Sequence, residues 1–239
     1  MAESTGRSPW FYALLGCLGC LGIVVLVVGG LAFFGVRTAQ QVTADNEDPE
    51  RRRNRALEVL GAEREPGGYH AAAVVSIPLF LEMAVFSDRP AEDGVWEGEF
   101  SEEGFFYLRV RGGGDDLRAF FDGETSESVT FREMGLELDI DENLGRGDLD
   151  RGDFTGRWAT FRGRTLYEAG IEVGERVTLI EFDCPDDEWM RMGVWFGPAI
   201  ESGDQGAVTE PGPGPGGSAA DGEVIEAFLE PIHPCGRSV

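Results

Sequence analysis

The stretch that decides the fold is EWMRMGVWF, residues 188–196, because large apolar side chains occur there at both odd and even positions. Alternate side chains of an extended strand point to opposite faces of a sheet. One face of this strand carries Met190, Met192, Val194 and Phe196. The other face carries Trp189, Arg191, Gly193 and Trp195. The pattern predicts a central strand that is covered on both faces, or covered on one face with a binding surface on the other.

Other segments alternate in the same way and predict the neighbours of this strand. Residues 175–184 (ERVTLIEFDC) are joined to it through the hairpin signal Pro185-Asp186-Asp187. Further strands are predicted at 156–164 (GRWATFRGR), at 104–111 (GFFYLRVR) and at 69–86, where Pro78 divides the run into one bent strand or two. The sequence therefore predicts a mostly antiparallel sheet of five or six strands.

Three helices are predicted beside the sheet. The first begins at Pro49 after the N-cap Asp48 and ends before Gly61. Residues 116–121 predict a short second helix, and residues 221–230 (DGEVIEAFLE) predict an amphipathic third one. An apolar helical stripe that follows a flexible segment has to be buried, so we expect the C-terminal helix to dock on the sheet. The predicted fold class is α+β.

Residues 10–36 (WFYALLGCLGCLGIVVLVVGGLAFFGV) carry no charge and predict an uncleaved transmembrane helix. As a helix the run would extend about 40 Å, which exceeds the roughly 30 Å hydrocarbon core of a bilayer. It is also longer than the apolar core of a cleaved signal peptide. Small residues at positions 13, 16, 17 and 20 are typical either of a Gly-tolerant anchor, which we favour, or of a weak homodimer through the anchor.

The side of the membrane is set by two opposing signals. Arginines follow the anchor at position 37 and at positions 51–55, which favours a cytoplasmic domain by the positive-inside rule. A short N-terminal tail before one apolar segment is typical of an export signal, and we favour an extracytoplasmic domain on a bacterial cytoplasmic membrane. The net charge of −24 excludes nucleic acid as a natural partner.

These predictions divide the chain into six parts. They are a short tail (1–9), the transmembrane helix (10–36), a juxtamembrane tether (37–48), the α+β domain (49–200), a Pro/Gly-rich flexible loop (201–220) and the C-terminal helix with its tail (221–239).

Aromatic and arginine side chains alternate on one predicted face of the sheet and form the best candidate for binding. The residues are Phe105, Tyr107, Arg109, Arg111, Trp189, Arg191 and Trp195. Together they suit stacking on, and ion pairing with, an anionic glycan, peptide or lipid head group. The alternative, which we favour, is that the arginine stems cover an aromatic layer beneath a helix and pair with nearby acids.

Residues 139–154 (DIDENLGRGDLDRGDF) partly match a calcium loop. Asp139, Asp141 and Asn143 would be ligands 1, 3 and 5, and Asp150 would be ligand 12. Leu144 stands where that loop needs glycine, so we favour a solvated acidic connector and keep calcium as a hypothesis. The two Arg-Gly-Asp triplets in this stretch are attributed to its Gly/Asp-rich composition.

The two cysteines that follow the anchor are Cys184, at a strand end, and Cys235, after the last helix. In an oxidising compartment a bridge between them would clamp the C-terminal helix and contribute about 4 kcal/mol in the chain-entropy model. In a reducing compartment they would be ordinary thiols.

The sequence contains no H-E-x-x-H, G-x-S-x-G, Walker or G-x-G-x-x-G signature in a matching context. We therefore expect a membrane-anchored, non-catalytic envelope protein without a cofactor, which binds a protein or cell-wall partner. The alternative is a membrane-anchored hydrolase with a carboxylate site that carries no known signature.

Three segments carry a resemblance: PGGYHAAAVVSIPLFLEMAVFSDRP, GFFYLRVRG, and CPDDEWMRMGVWFGP followed by a helix and a cysteine. With the N-terminal anchor, they resemble uncharacterised membrane-anchored proteins of GC-rich bacteria, and the arginine-only basic composition agrees with such a genome. The resemblance implies an anchor and an envelope location but no reaction. A terminal helix on a sheet is also similar to PsbP-like domains, at the level of fold alone.

Overall fold

The structure is a computed structural model that describes residues 37, 40, 42–90, 103–112, 114–123, 128–131, 136–167, 172–173, 176–185, 188–197 and 220–236. The predicted transmembrane helix and the predicted loop at 201–219 lie outside these residues. Among the described residues, no helix is long and apolar enough to cross a membrane. The chain divides into two units, Met1–Thr43 and Ala44–Val239, and the second contains the fold described below.

The described strands form one antiparallel sheet. They are β1 (His70–Ile77), β2 (Leu81–Ser87), β3 (Gly104–Arg111), β4 (Ser128–Phe131), β5 (Leu136–Asp150), β6 (Thr155–Tyr167), β7 (Glu172–Val173), β8 (Arg176–Asp183) and β9 (Trp189–Gly197). Their spatial order is β1-β2-β3-β9-β8-β6-β5-β4, with β7 beside β6. The strand from which the prediction started, β9, lies between β3 and β8, so its central position is confirmed.

The described helices are α1 (Pro49–Leu60), α2 (Asp115–Phe121) and α3 (Gly222–Leu229). The side chain of Asp48 accepts hydrogen bonds from the amides of Glu50 and Arg51 at the start of α1. Gly61 ends this helix in the left-handed conformation, with φ of 66°. The α+β class is therefore confirmed, including its C-terminal helix.

The sheet has nine described strands, so the prediction of five or six was too low. The largest addition is β5, which contains the stretch that we interpreted as an acidic connector. Its two central glycines explain the difference, because Gly147 lies opposite Trp158 of β6. A Cβ on Gly147 would stand 2.6 Å from the indole nitrogen, and one on Gly145 would stand 3.3 Å from the same ring. These glycines allow the close approach of an aromatic ring to a strand.

The two faces of the sheet carry separate apolar cores. On the first, which we call the aromatic face, α1 and α3 pack on large rings that include Tyr69, Phe86, Phe105, Trp158 and Trp195. On the second, which we call the α2 face, Leu117 and Phe120 of α2 pack on Phe106, Phe161, Val177 and Val194. Residues at odd and even positions of β9 contribute to different cores, as its double apolar pattern predicts.

The outer edge of β1 is bonded to side chains from the segment before it. The Asn46 carboxamide donates to the carbonyl of Val74 and accepts from its amide, at 2.7 and 2.9 Å. Arg52, which is buried, donates to the carbonyl of Ala71, whose amide donates to Glu65. These bonds satisfy edge groups that would otherwise offer a site for strand addition. Residues 42–47 of the predicted tether are helical, and those from Ala44 onward belong to the folded unit.

The C-terminal segment is held against the aromatic face by several independent bonds. A disulfide joins Cys184 to Cys235, with their Cα atoms 5.4 Å apart. His233 Nδ1 lies 2.8 Å from a carboxylate oxygen of Asp153. The Arg151 guanidinium donates to two backbone carbonyls at the end of α3. The disulfide that was one of the two alternatives for these cysteines is thus present, and it holds the segment that follows α3.

Candidate functional site

The aromatic members of the predicted binding face are part of the core. Phe105, Tyr107 and Trp195 are buried, and Phe105 and Trp195 lie beneath α3. The Trp195 ring stacks on Phe228 of that helix, with ring centroids 4.0 Å apart and planes 10° apart. Phe105 meets the same ring edge-on at 5.1 Å. These rings stabilise the docked helix, and a ligand cannot reach them while α3 is in place.

The arginine members lie beside this aromatic layer and interact with it. Arg191 is 2% exposed and donates to the backbone carbonyl of Trp189. The Arg109 guanidinium lies over the Trp189 ring, 4.5 Å from its centroid, and donates to Glu82 at 3.2 Å. Arg111 is half exposed and pairs with Glu188. This arrangement is the one that the alternative interpretation describes, in which arginines cover aromatic groups and pair with acids.

Two tyrosine hydroxyls are enclosed in the aromatic face. Burial raises the pKa of Tyr107 well above its usual range, although the charges of Arg191 and Arg109 act in the opposite direction. Burial also raises the pKa of Tyr69, whose hydroxyl accepts a hydrogen bond from the Trp195 indole at 2.9 Å. Both groups are neutral at ordinary pH, so they act as packed polar groups and not as nucleophiles or bases.

A concave site among the described residues is a cleft of about 610 Å³ between α2 and the adjacent ends of β5, β6, β8 and β9. Its lining combines charges of both signs. The polar lining residues used below are Arg118, Arg157, Glu181, Asp183 and Glu188. Two of the predicted residues, Trp189 and Arg191, also border this cleft, through the strand from which their side chains project onto the aromatic face.

Arg157 is the central charge of the cleft because it bridges the sheet and α2. Its guanidinium binds Glu181 of the neighbouring strand at 2.7 Å and Asp122 at the end of α2. It also lies over the Phe121 ring, 5.1 Å from the centroid. Partial burial, the largest effect, lowers the pKa of Arg157, but the hydrogen bonds to Glu181 and Asp122 outweigh it and raise the pKa above its usual value. The guanidinium is thus a permanent, fixed charge.

The sequence analysis did not identify Arg118, Arg157 or Glu181. Arg157 stands directly opposite Glu181 in the β6–β8 register, whereas its other partner, Asp122, is 35 residues away in the chain. In a chain with 44 acidic residues, proximity to a carboxylate in sequence identifies no particular pair. The strand register, which the sequence does not show, was the missing information.

The four candidate calcium ligands do not converge. Asp139, Asp141, Asn143 and Asp150 all lie on β5, which is paired with β6 along its length except at two register shifts, Ile140/Glu142 and Asn143/Gly145. Eleven residues of strand separate the first ligand from the last, which corresponds to roughly 36 Å. No group of three or more His, Cys, Asp or Glu side chains that could hold a metal ion occurs within the described ranges. A calcium loop would require β5 to leave the sheet.

The comparisons with known proteins add no assignment. The chain matches no model of a protein family, and neither a curated protein nor a solved structure matches it.

Proposed function

We propose that the chain is a single-pass membrane protein whose acidic α+β domain binds a polar polymer, in particular a cell-wall glycan, outside the cytoplasm. The observation that carries the proposal is the cleft between α2 and the strand ends, with charged groups of both signs around it.

The charges of the cleft favour a ligand rich in hydroxyl groups over a strongly anionic one. Its lining contains the carboxylates of Asp148, Asp150, Glu181, Asp183 and Glu188 against the guanidiniums of Arg118 and Arg157. This excess of negative charge repels phosphate. Sugar hydroxyls, in contrast, donate to carboxylates and accept from guanidiniums, and charge-assisted bonds of both kinds are strong.

The location is supported by the disulfide between Cys184 and Cys235. Disulfides persist in oxidising compartments and are rare in the reducing cytosol. The bridge supports an extracytoplasmic domain over the cytoplasmic one that the arginine count favours. The membrane attachment itself rests on the uncharged run at residues 10–36.

The hydrolase alternative would use carboxylates of the same cleft. Glycoside hydrolysis needs one carboxyl group that is protonated and can donate to the leaving group. The inner carboxylate, Glu181, accepts a hydrogen bond from Arg157 at 2.7 Å and is therefore already engaged by a guanidinium. None of the cleft contacts described above gives one of the more exposed carboxylates a neighbour that would keep it protonated. Binding without turnover is therefore the better-supported function.

A co-sedimentation experiment with the full chain tests the proposal. The chain, reconstituted in nanodiscs, is mixed with purified peptidoglycan, and the bound fraction is compared for the wild type, Arg118→Gln and Arg51→Gln. The two arginines are a matched pair, because each is more than 60% exposed on a helix and pairs with an acid three residues before it. Only Arg118 borders the cleft.

We expect Arg118→Gln to weaken binding by about 1 kcal/mol or more, roughly fivefold, through loss of a charge-assisted hydrogen bond. Arg51→Gln should leave binding unchanged. Equal binding by both variants, or no binding by the wild type, contradicts the cleft as the site. Release of soluble sugars that stops in Glu181→Gln would establish the hydrolase instead.

A further inference from the structure

The turn between β1 and β2 exposes large apolar side chains. Leu79 is 68% exposed and Phe80 is 64% exposed, and among the described residues only Val224 is another exposed large hydrophobic group. Pro78 precedes them and is also exposed. We call residues 78–80 the hairpin tip. Isolated exposed apolar residues need no explanation, but three in succession at the end of a hairpin form a continuous apolar projection.

The hairpin tip is held in a conformation that its sequence does not favour. Leu79 has φ of 72°, and it is the one non-glycine residue with positive φ among the described residues. The amide of Phe80 donates to the carbonyl of Ile77 at 3.1 Å, which closes a turn with Pro78 and Leu79 at its centre. Glycine normally occupies the Leu79 position of such a turn. A leucine there is strained, and such strain is retained mainly at functional positions.

The neighbouring strand fixes the hairpin tip and places arginines beside it. The amide of Arg111 donates to the carbonyl of Phe80 at 3.0 Å. Arg109 lies two residues before it on the same strand, and Arg55 of α1 pairs with the same carboxylate as Arg109, that of Glu82. Arg55 also pairs with Glu58 and Arg111 with Glu188, so the charges beside the tip are balanced in a chain whose net charge is −24. Arginines beside exposed apolar groups are typical of the interfacial region of a bilayer.

The length of chain before the folded unit keeps the hairpin tip within reach of a bilayer. The predicted transmembrane helix ends at Val36, and Asn46 is bonded to Val74 on the same hairpin. Residues 42–46 are helical, so the ten residues from Val36 to Asn46 span less than the about 36 Å of a fully extended chain. Five more residues of strand, or about 16 Å, separate Val74 from Leu79.

We infer that the hairpin tip inserts into the interfacial layer of the membrane that holds the anchor, with Arg109 and Arg111 facing the lipid phosphates. The contact would give the domain a second attachment point and a fixed orientation, so that the cleft is presented in one direction. This inference rests on the membrane attachment in the proposed function but not on the ligand of the cleft. Insertion through apolar side chains requires no net attraction between the acidic domain and the membrane surface.

Labelling in nanodiscs tests the insertion. The full chain carries Cys17→Ser and Cys20→Ser, so that only an introduced cysteine reacts while Cys184 and Cys235 stay bridged. An environment-sensitive fluorophore is attached at Leu79→Cys or, as a matched control, at Val224→Cys, an exposed apolar position on α3. The nanodiscs contain phosphatidylcholine with or without phosphatidylglycerol, and a fraction of the lipid carries a nitroxide near the head group.

We expect the nitroxide lipid to quench the label at position 79 at least about twofold more than the label at position 224, as interfacial immersion requires. Adding Phe80→Ser should reduce the difference. If the labels at positions 79 and 224 are quenched equally by the nitroxide lipid and are equally accessible to iodide, the inference is wrong. That result leaves the predicted transmembrane anchor unaffected. Shielding at position 79 that depends on protein concentration in detergent also overturns the inference, in favour of contact with a second copy. Failure to enter nanodiscs contradicts the anchor and the inference together.

Discussion

The two faces of the sheet differ in how firmly they are covered. On the aromatic face, α3 is held by a ring stack, a disulfide, the His233–Asp153 contact and the Arg151 bonds to its carbonyls. On the α2 face, the covering helix has seven residues and no side-chain N-cap bond. The cleft lies beside this helix. The difference indicates that one face supplies stability, whereas the other keeps an accessible site.

The largest expected effect is on the aromatic face, from Phe228→Ala. The substitution removes the stack with Trp195 and the edge contacts with Phe105 and Tyr69. We expect a loss of about 3 to 5 kcal/mol in the free energy of unfolding, the usual cost of deleting a buried aromatic ring. Denaturant unfolding measures the loss. Val224→Ala, at an exposed position of the same helix, should cost less than about 0.5 kcal/mol; equal losses would show that α3 is not docked.

Removal of the disulfide should have the next largest effect. The bridge spans 51 positions of the chain. Replacing Cys184 and Cys235 with alanine should lower the free energy of unfolding by about 2 to 4 kcal/mol. The expected signature is earlier exchange of the amides of α3 than of those of β9 in hydrogen exchange. Unchanged stability, or a loss spread evenly over the sheet, would contradict the clamp.

The α2 face should be less sensitive. Leu117 is a fully buried residue of α2. Leu117→Ala should lower the free energy of unfolding by about 2 to 3 kcal/mol, the lower part of the range for a buried leucine, because a short helix beside a cleft can shift and fill part of the cavity. Thermal and denaturant unfolding check the value, and peptidoglycan binding should weaken at the same time. A cost above that of Phe228→Ala would reverse the comparison between the faces.

The smallest effect at neutral pH is expected from the two buried tyrosines, which change the free energy of unfolding only at alkaline pH. Tyr69 and Tyr107 have a folded-state pKa raised by burial above that of an unfolded tyrosine, about 10. A hydroxyl whose pKa is higher in the folded state than in the unfolded state stabilises the protein fully below pH 10. This contribution is lost as the pH rises above 10. The slope should approach about 1.4 kcal/mol per pH unit for each tyrosine. Tyr107→Phe should remove about half of this slope; an identical slope in the variant would contradict the burial of its hydroxyl.

The strands with regular alternation were predictable because their two faces meet different surroundings. The segments that became β3, β8 and β9 alternate clearly, and their predicted bounds agree closely with the observed ones. The long strand β5 was not predictable, because its centre is rich in glycine and charge. Those glycines are required by Trp158 on β6, a contact that depends on the strand register.

The candidate site was less predictable than the fold. The predicted binding residues share one face, as expected, but the sequence does not show that α3 covers Phe105 and Trp195. The cleft is formed where α2 meets four strand ends, and its central ion pairs join residues far apart in the chain. The exposed hairpin tip was part of an apolar run that also contains core residues. Only the position of Leu79 in a turn distinguishes the hairpin tip from those core residues.

The most direct test is the topology of the full chain, because the disulfide and the proposed ligand both call for a domain outside the cytoplasm. A reporter enzyme that is active only outside the cytoplasm is fused after Val239, and thiol alkylation is measured in the Cys17→Ser/Cys20→Ser background. The account predicts an active reporter and alkylation of Cys184 and Cys235 only after reduction. An inactive reporter, with both thiols alkylated without a reductant, would contradict it.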